Sequence, residues 1–593
     1  MVFGYFLEVE PTSAQIPQIQ EDGTTSTRVF QPTEASEPYT VLGESVSGDN
    51  LFHSFERFSI PENVSVRFNA SGAENIFVRV TGNRHSRISG RLSVDNSANF
   101  FLLNPNGIVF RDGAQLDIGG TFVATTADAI AFGDRGEFSA IDPEVNTSLL
   151  TVQPSALRFL RGEQQTIRNQ ADLDFTNPDL MRSTNPSLVF VGGAIRFSEI
   201  NAETAEGNVI IPRGRLQLAA VGGIGDVEYD ANTHTITVPD GMRRGRTVFG
   251  DVVIDVGTGQ LSIDAEYIRG RSTRFQASRM SDRPTSIRLR ASDRILLTNT
   301  SQINFSSGDI SLEANRTIHL NNRSTINGSA AQNSSGGSIR IRSENLTVSN
   351  ASSINARTFS RGDAGEIFLD VDETIQIVNN SQINSLAATL TNIELGNGGN
   401  ISIQTSLLEL DDDAEISTVV VGENGGRGGT VFIDADAVSL NDRSFIEASV
   451  DSSQPGGNIT LTDTDFLLLR NNSRLSARAL TTSDGGNLTI DADLIVALPE
   501  QNNDLLASAL EGRGGNIEIT TRGLFGLDVR EAVEGNITND IDASSRFGVD
   551  GVVSINRLEV DPSQSLEDLP DEVVNVATLI DENACQSLGI SEF

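Results

Sequence analysis

The sequence has no lysine, no tryptophan, one cysteine and only four tyrosines among its 593 residues. Because Cys585 has no second cysteine to pair with, an intramolecular disulfide and any disulfide framework are excluded. A low cysteine content also suits a chain that stays unfolded while it crosses an oxidising space. Without tryptophan, the core has to be built from Ile, Leu, Val and Phe, and 38% hydrophobic residues suffice for a sizeable one.

The sequence is strongly acidic. Eighty acidic residues stand against 43 basic ones, all of them arginine, and the net charge is −37. Such an excess argues against nucleic acid or an anionic membrane as partner. It suits solubility and weak binding of divalent cations. Since no run of 18 apolar residues occurs, the sequence predicts no transmembrane helix.

The first residues resemble part of a leader. They lack a positive n-region and a long apolar stretch, yet Thr12-Ser13-Ala14 before Gln15 resembles a small-residue cleavage site. We therefore expect residues 1–26 to be the remnant of a leader or signal peptide.

A repeat begins at about residue 295. A glycine corner leads into an alternating strand, and the last glycine of each corner recurs after 28 to 34 residues. A second phrase with an Asn-Asn or Asn-Asp corner lies within the same period, and these corners fit turn or left-handed geometry with stacked amide ladders. The recurring glycines are Gly337, Gly365, Gly399, Gly429, Gly457, Gly486 and Gly515.

Each period therefore holds about three short strands separated by Gly, Asn, Asp and Ser corners. Three strands per period, without helical periodicity, predict an all-β fold, a right-handed parallel β-helix. Alternation with period two places Ile, Leu and Val inside and Ser, Thr, Arg and Asp outside. A β-propeller fits less well, since its four-stranded blades need repeats of about 40–50 residues.

The N-terminal third is also rich in strands but irregular. Its centre is Asn104-Pro105-Asn106-Gly107, a four-residue turn between two apolar strands, in which Pro105 presets φ. Residues 140–190 are predicted to be rich in loops. The predicted strands are Leu51–Ile60, Val64–Asn69, Ile76–Val80, Gly90–Val94, Phe100–Leu103, Gly107–Phe110, Thr121–Ala124, Leu188–Val191, 209–211 and Leu216–Ala220.

Residues 27–140 resemble the secretion domain of the filamentous haemagglutinin family, the two-partner-secreted exoproteins. The resemblance rests on an ordered set of segments rather than on one motif. The segments are Asn50-Leu51-Phe52-His53-Ser54-Phe55-Glu56-Arg57-Phe58-Ser59-Ile60, Phe77-Val78-Arg79-Val80-Thr81-Gly82, Ser89-Gly90-Arg91-Leu92, Asn104-Pro105-Asn106-Gly107-Ile108 and Phe122-Val123-Ala124-Thr125-Thr126.

The resemblance implies a β-helix that is nucleated by the N-terminal domain and exported through a dedicated outer-membrane β-barrel transporter. It assigns secretion and folding of the domain to the segment that contains Asn104, Pro105, Asn106, Gly107 and Ile108, and the secretion-domain match to Phe52, His53, Phe55 and Phe58. The protein would be secreted or held at the surface of a Gram-negative-type bacterium. A second motif of the Asn-Pro-Asn-Leu kind is missing, and the end near Cys585 resembles shorter exoproteins of cyanobacteria.

Together these features predict a division of the chain into five parts. Residues 1–26 are the leader remnant, 27–170 the secretion domain and 171–290 a β-helix extension with irregular insertions. Residues 291–560 form repetitive coils, and 561–593 an acidic C-terminal tail.

The expected function is that of a non-enzymatic adhesin with a cell-surface or polysaccharide receptor. Two alternatives stay open. The first is a polysaccharide-active enzyme, whose acid and base would come from carboxylates two residues apart on one strand face. The second is a self-assembling surface-layer protein. The carboxylate pairs are Asp370/Asp372, Asp434/Asp436 and Asp491/Asp493.

No cofactor is expected. The four histidines (His53, His85, His234 and His319) lack metal-ligand spacing. Asp411-Asp412-Asp413 fits either a calcium site or a solvated corner. Arg361-Gly362-Asp363 fits either an adhesion tripeptide or a chance occurrence in a corner.

Overall fold

The computed structural model describes residues 18–34, 36–144, 147–175, 187–198, 208–277, 285–306, 308–330, 334–388, 396–533 and 535–557. The leader cleavage site, Cys585 and the predicted acidic tail lie outside these ranges. Within them the chain forms 53 strands and one short 3-10 helix, Thr147–Leu149. No helix of this part of the chain is long and apolar enough to cross a membrane.

The strands up to residue 174 are β1 (Gln18–Glu21), β2 (Arg28–Phe30), β3 (Tyr39–Leu42), β4 (Val46–Ser47), β5 (Asn50–Ser59), β6 (Ser65–Phe68), β7 (Asn75–Val80), β8 (Ser86–Ile88), β9 (Arg91–Val94), β10 (Asn99–Leu103), β11 (Ile108–Phe110), β12 (Gln115–Asp117), β13 (Phe122–Thr125), β14 (Ala129–Ala131), β15 (Glu137–Ser139), β16 (Ala156–Phe159), β17 (Thr166–Asn169) and β18 (Leu173–Asp174). The strands from there to residue 355 are β19 (Ser187–Gly192), β20 (Ala194–Ser198), β21 (Val209–Ile210), β22 (Arg215–Ala220), β23 (Gly225–Asp230), β24 (Thr235–Thr237), β25 (Arg246–Gly250), β26 (Val253–Asp255), β27 (Gln260–Arg271), β28 (Arg274–Ala277), β29 (Ser286–Thr298), β30 (Gln302–Phe305), β31 (Asp309–Ala314), β32 (Thr317–Leu320), β33 (Thr325–Asn327), β34 (Ile339–Ser349) and β35 (Ser353–Asn355). The remaining strands are β36 (Ile367–Val378), β37 (Gln382–Asn384), β38 (Ala387–Ala388), β39 (Ile401–Asp411), β40 (Glu415–Ser417), β41 (Val420–Val421), β42 (Thr430–Leu440), β43 (Phe445–Glu447), β44 (Val450–Asp451), β45 (Asn458–Leu469), β46 (Arg474–Ser476), β47 (Leu488–Ala497), β48 (Asp504–Leu506), β49 (Ile517–Thr521), β50 (Gly523–Phe525), β51 (Asp528–Val529), β52 (Asp540–Asp542) and β53 (Val553–Arg557).

The repeat region is a parallel β-helix, which confirms the fold class predicted from the sequence. One coil consists of a long strand such as β39 and a short strand such as β40. The long strand pairs in parallel with β36 and β42, and the short strand pairs in parallel with β37 and β43. Shifts of register in the middle of several long strands, for example between Ala265 and Tyr267, bend them so that one strand supplies two faces of a coil. The short strands form a separate 14-stranded sheet, the third face.

The interior consists of aliphatic rows that run along the stack. One row continues through Ile375, Leu408, Val438, Leu467 and Ile495, which pair in register and are fully buried. A coil cannot cover its own inner face, so each one depends on its two neighbours for burial.

The corner after each long strand confirms the left-handed geometry predicted for the Asn and Asp pairs. In seven successive coils two adjacent residues have positive φ, and Asn or Asp holds the first position because its short side chain tolerates this region. The amides also stack: Asn350 Nδ2 donates to Asn321 Oδ1 at 2.7 Å, and Asn471 Nδ2 donates to Asn441 Oδ1 at 2.9 Å. The pairs are Asn299-Thr300, Asn322-Arg323, Asn350-Ala351, Asn379-Asn380, Asp412-Asp413, Asp442-Arg443 and Asn471-Asn472.

The glycine pairs close a loop that leaves the coil and returns to it. The amide of Gly457 donates to the carbonyl of Ala448 at 3.0 Å and closes the base of the loop between them. A Cβ on Gly457 would overlap the carbonyl oxygen of Gly429 in the coil before, and a Cβ on Gly486 would overlap that of Gly457. The recurring glycines therefore form a column, in which backbone lies on backbone with no room for a side chain.

The N-terminal part adds two layers to the β-helix. Strand β1 pairs antiparallel with β5, and the β2–β3 hairpin covers the start of a sheet made of β6, β9 and β12. An antiparallel sheet of β14, β15, β16, β23 and β24 lies outside the helix. It encloses a second core that contains Phe52, Phe77, Phe101, Phe132 and Phe138.

Residues 140–190 contain more regular structure than the sequence predicted. Ala156–Phe159, Thr166–Asn169 and Leu173–Asp174 are strands. The first belongs to the outer sheet, and the other two continue the β-helix. The prolines Pro178 and Pro186 lie outside the described residues.

Candidate functional site

The Asn-Pro-Asn-Gly segment is a closed turn between β10 and β11. The amide of Gly107 donates to the carbonyl of Asn104 at 3.0 Å, and the Asn104 side chain accepts a second bond from the amide of Asn106 at 2.9 Å. Gly107 has a φ of 109°, in the region that disfavours side chains. Pro105 presets the second turn position, so all four residue types serve the turn itself.

The same side chains tie this turn to the preceding coil. Asn104 Nδ2 donates to the carbonyl of Arg84 at 3.0 Å and to Ser86 Oγ at 2.9 Å. Asn106 Nδ2 donates to the carbonyl of Gly82 at 2.7 Å. Asn104 is fully buried, as is Ile108 in the interior core. In the folded domain the motif therefore acts as a buried corner that locks two coils together.

An ion pair between a buried aspartate and a partly exposed arginine ties the outer side of the turn to the chain between β16 and β17. Asp128 has no exposed side-chain surface and accepts hydrogen bonds from the amide of Leu160 at 2.7 Å and from Arg161 Nε at 2.5 Å. Arg161 then donates to the carbonyl of Pro105 at 3.1 Å. The sequence does not predict the roles of Asp128 and Arg161, because nothing near them in the chain indicates that they contact the motif.

The four residues of the secretion-domain match divide between the two cores. Phe55 and Phe58 point into the β-helix, where their ring centroids lie 5.2 Å apart. Phe52 points outward and stacks on Phe77 at 5.3 Å, beneath the outer sheet. The alternation along β5 therefore joins the β-helix to the outer sheet.

His53 is fully buried on the inner side of β5. Its Nδ1 lies 3.1 Å from Thr27 Oγ1, while its Nε2 has no hydrogen-bond partner. The imidazole packs edge-on against Phe68, with centroids 5.2 Å apart. Burial lowers the pKa of His53 to about 3, so the ring is neutral at physiological pH.

This burial predicts a pH-dependent stability of the domain. His53 binds a proton below pH 6.5 when unfolded but only below about pH 3 when folded. The contribution of neutral His53 to the free energy of unfolding is therefore complete above pH 6.5. It is lost as the pH falls towards 3, by at most about 1.4 kcal/mol per pH unit. Hydrogen exchange of Asn50–Ser59 between pH 7.5 and 4 measures it. His53→Gln should reduce the difference in protection of this strand between the two pH values, whereas the control His319→Gln should not. Equal pH profiles for wild type and His53→Gln would contradict the predicted effect of burying His53.

Arg79 is a fully buried charge at the junction of three segments. It donates to Ser54 Oγ at 2.8 Å, to Thr24 Oγ1 at 2.9 Å, and to the carbonyls of Ser139 at 2.6 Å and Pro143 at 2.8 Å. Its guanidinium also lies 4.3 Å from the centroid of the Phe138 ring. Arg79 thus joins the N-terminal segment, the first coil and the outer sheet. Its only sequence signal is a single charge within an apolar strand.

The remaining candidates from the sequence are spread along the coils. Asp370 forms an ion pair with Arg342 at 3.3 Å, and Asp493 forms one with Arg522 at 2.9 Å. Asp413 is paired with Arg443 at 2.7 Å. Among the described residues, no group of three or more His, Cys, Asp or Glu side chains is placed to hold a metal ion.

The N-terminal part of the chain matches a known family. Residues 17–238 match the family model of the TPS secretion domain. Over 86 residues, 14% of this chain, the sequence is 35% identical to the heme/hemopexin-binding protein of Haemophilus influenzae, and the match covers 9% of that protein's length. The chain thus spans less than a tenth of this curated relative.

Two solved secretion domains share 16% sequence identity with this chain. The HMW1 secretion domain from Haemophilus influenzae aligns with a TM-score of 0.46, covering 74% of this chain and all of that domain. The filamentous hemagglutinin secretion domain aligns with a TM-score of 0.26, covering 63% of this chain and 96% of that domain. The family match confirms the resemblance inferred from the sequence segments: residues 17–238 are a TPS secretion domain, and proteins with this domain are secreted or surface-exposed exoproteins of Gram-negative bacteria.

Proposed function

We propose that this protein is an adhesin-like, non-enzymatic exoprotein that leaves the cell through a dedicated outer-membrane β-barrel transporter. The observation that carries the proposal is the secretion-domain match at the head of a long β-helix. In this proposal the N-terminal domain directs export and nucleates folding, and the coils present a receptor-binding surface.

The proposal gives the Asn-Pro-Asn-Gly turn a folding role during export. The turn becomes buried only when the coil before it is in place, because its amides bind the carbonyls of Gly82 and Arg84. Strand β1 and the β2–β3 hairpin cover the N-terminal end, so new coils add at the other end. Folding outside the cell would then draw the chain outward one coil at a time.

Replacing Asn104 with alanine tests this role. The change removes two donated and two accepted hydrogen bonds in a buried site, and we expect a loss of about 2–4 kcal/mol in stability of the domain. Secretion through the cognate transporter should fall severalfold in a Gram-negative host that expresses both proteins. Asn83→Ala, at an exposed position in the same region, is the matched control and should be secreted normally.

The two measurements separate the parts of the proposal. If Asn104→Ala folds with unchanged stability yet is not secreted, the motif is read by the transporter and the folding role is wrong. If it is destabilised but secreted at the wild-type rate, folding at this corner does not drive export. Secretion that does not depend on any transporter would overturn the proposal as a whole.

A further inference from the structure

An arginine row runs along one outer face of the long sheet. It consists of Arg87, Arg168, Arg196 and Arg269, which occupy the same register position in successive coils, with Val109 and Val248 between them. Arg168 and Arg196 are direct neighbours, about 4.8 Å apart along the stack. The other members follow at every second strand, at about twice that spacing.

A second column beside the row adds to it. Arg246 lies in register with Tyr267, and Tyr267 lies in register with Arg294, whose guanidinium is 5.7 Å from the Tyr267 ring centroid. Tyr267 thus occupies the register position between two arginines. Such a ring has an apolar face and a polar edge, and it suits contact with a sugar.

The arginines of the row form no ion pair with a described residue, although the chain is strongly acidic. Arg87 donates to His85 Nε2 at 2.6 Å, and in the second column Arg294 pairs with Asp293 at 2.8 Å. Acidic residues outnumber arginines by 80 to 43, yet the outward positions of β8, β11, β17, β20, β25 and β27 in these columns carry no carboxylate. Neither Arg168, Arg196 nor Arg269 forms an ion pair with a described residue, whereas Arg316, Arg342 and Arg522 elsewhere each do.

Like charges side by side on a sheet are unfavourable unless something neutralises them. His85, next to the start of the row, shows the effect of this positive charge. Burial lowers the pKa of His85, and the charges of Arg87 and Arg111 lower it further. The repulsion between these arginines is therefore an unfavourable free energy that a bound anion would reduce.

We propose that the arginine row binds a linear acidic polysaccharide, whose carboxylate or sulfate groups recur along the chain as the arginines recur along the coils. A guanidinium binds both groups through paired hydrogen bonds. The surface is an open sheet face rather than a pocket, which suits an extended polymer. A nucleic acid fits less well, because its higher charge density is repelled by a chain of net charge −37.

This inference rests on the proposed receptor-binding function but makes a separate claim about its site. The test measures binding of purified full-length protein to dextran sulfate and polygalacturonate, with neutral dextran as reference. We expect both polyanions to bind in a salt-dependent way, and Arg168→Gln/Arg196→Gln/Arg269→Gln to weaken binding about tenfold. The matched control, Arg316→Gln/Arg342→Gln/Arg522→Gln, changes the net charge equally and should stay within about twofold.

Several results would overturn the inference. The first is an equal loss of polyanion binding in the two triple variants, and the second is no binding of either polyanion by the wild type. The third is binding of single-stranded DNA that depends on the row and is tighter than binding of the polysaccharides. The secretion assay separates it from the export proposal. The row variant should be secreted normally, and a block of its secretion would instead assign the row to the transporter. Failure of export in the wild type would overturn the export proposal and leave the binding measurement standing.

Discussion

Gly457→Ala is expected to disrupt the stack of coils around β45. The new methyl group would occupy the position of the Gly429 carbonyl oxygen in the coil before. The neighbour that has to move is backbone directly before β42, a strand that pairs in parallel with β39 and with β45, so the clash cannot be relieved by rotating a side chain. We expect a loss at or above the upper end of the range for overpacking, about 3 kcal/mol or more.

Gly250→Ala is the matched control, because no atom lies within 4 Å of a Cβ built at that glycine. It should leave stability unchanged or raise it by a few tenths of a kcal/mol, up to about 1. Thermal unfolding followed by far-ultraviolet circular dichroism compares the two, and limited proteolysis locates the opened coils. Equal melting of Gly457→Ala and wild type would show that the column of glycines is not a steric requirement. A slower secretion rate of Gly457→Ala would link coil stacking to export.

Arg79→Met should be the most damaging single change in the secretion domain. Methionine fills much of the same volume but leaves the carbonyls of Ser139 and Pro143 without their donor in a buried site. It also removes the positive charge that attracts Asp22, which accepts hydrogen bonds from Ser54 and Thr81. Removing one member of a buried charge network costs about 3–5 kcal/mol.

Arg91→Gln controls for the loss of a positive charge in the same domain. Arg91 pairs with Asp117 at 2.6 Å, but its side chain is 44% exposed, and such pairs contribute at most about 1 kcal/mol. Urea unfolding of both variants, with hydrogen exchange of Asn75–Val80, measures the difference. If Arg79→Met were as stable as Arg91→Gln, the outer sheet would not depend on this buried arginine.

Much of the fold follows from local sequence. All seven strands predicted between residues 51 and 124 are present, with bounds that differ by at most one residue at each end. These strands can be predicted because the pleat of a strand imposes an alternation of period two, which turn residues interrupt. The αL corners were readable for a similar reason, since Asn and Asp tolerate positive φ.

The contacts that build the secretion domain cannot be predicted from local sequence in this way. Arg161 reaches Pro105 across 56 residues, and Asn50 donates to the carbonyl of Leu150 across 100. The sequence does not predict the strand at Ala156–Phe159, because this strand belongs to the antiparallel outer sheet rather than to the repeat. Arg79 appeared as one charge in an apolar strand, and nothing nearby in the sequence names its partners.

By itself the sequence determined the all-β class, the coil period, the aliphatic interior and the family of the N-terminal domain, because each is carried by residues that are close together along the chain. The tertiary structure alone decided that the Asn-Pro-Asn-Gly turn is buried against its neighbouring coil, that Arg79 holds three segments together, and that arginines from distant segments form one row. In this β-helix the residues that touch are about 30 positions apart, and up to 102 in the N-terminal domain. Their proximity exists only once the coils have stacked, and that stacking is driven by the burial of inner faces that no single coil can cover.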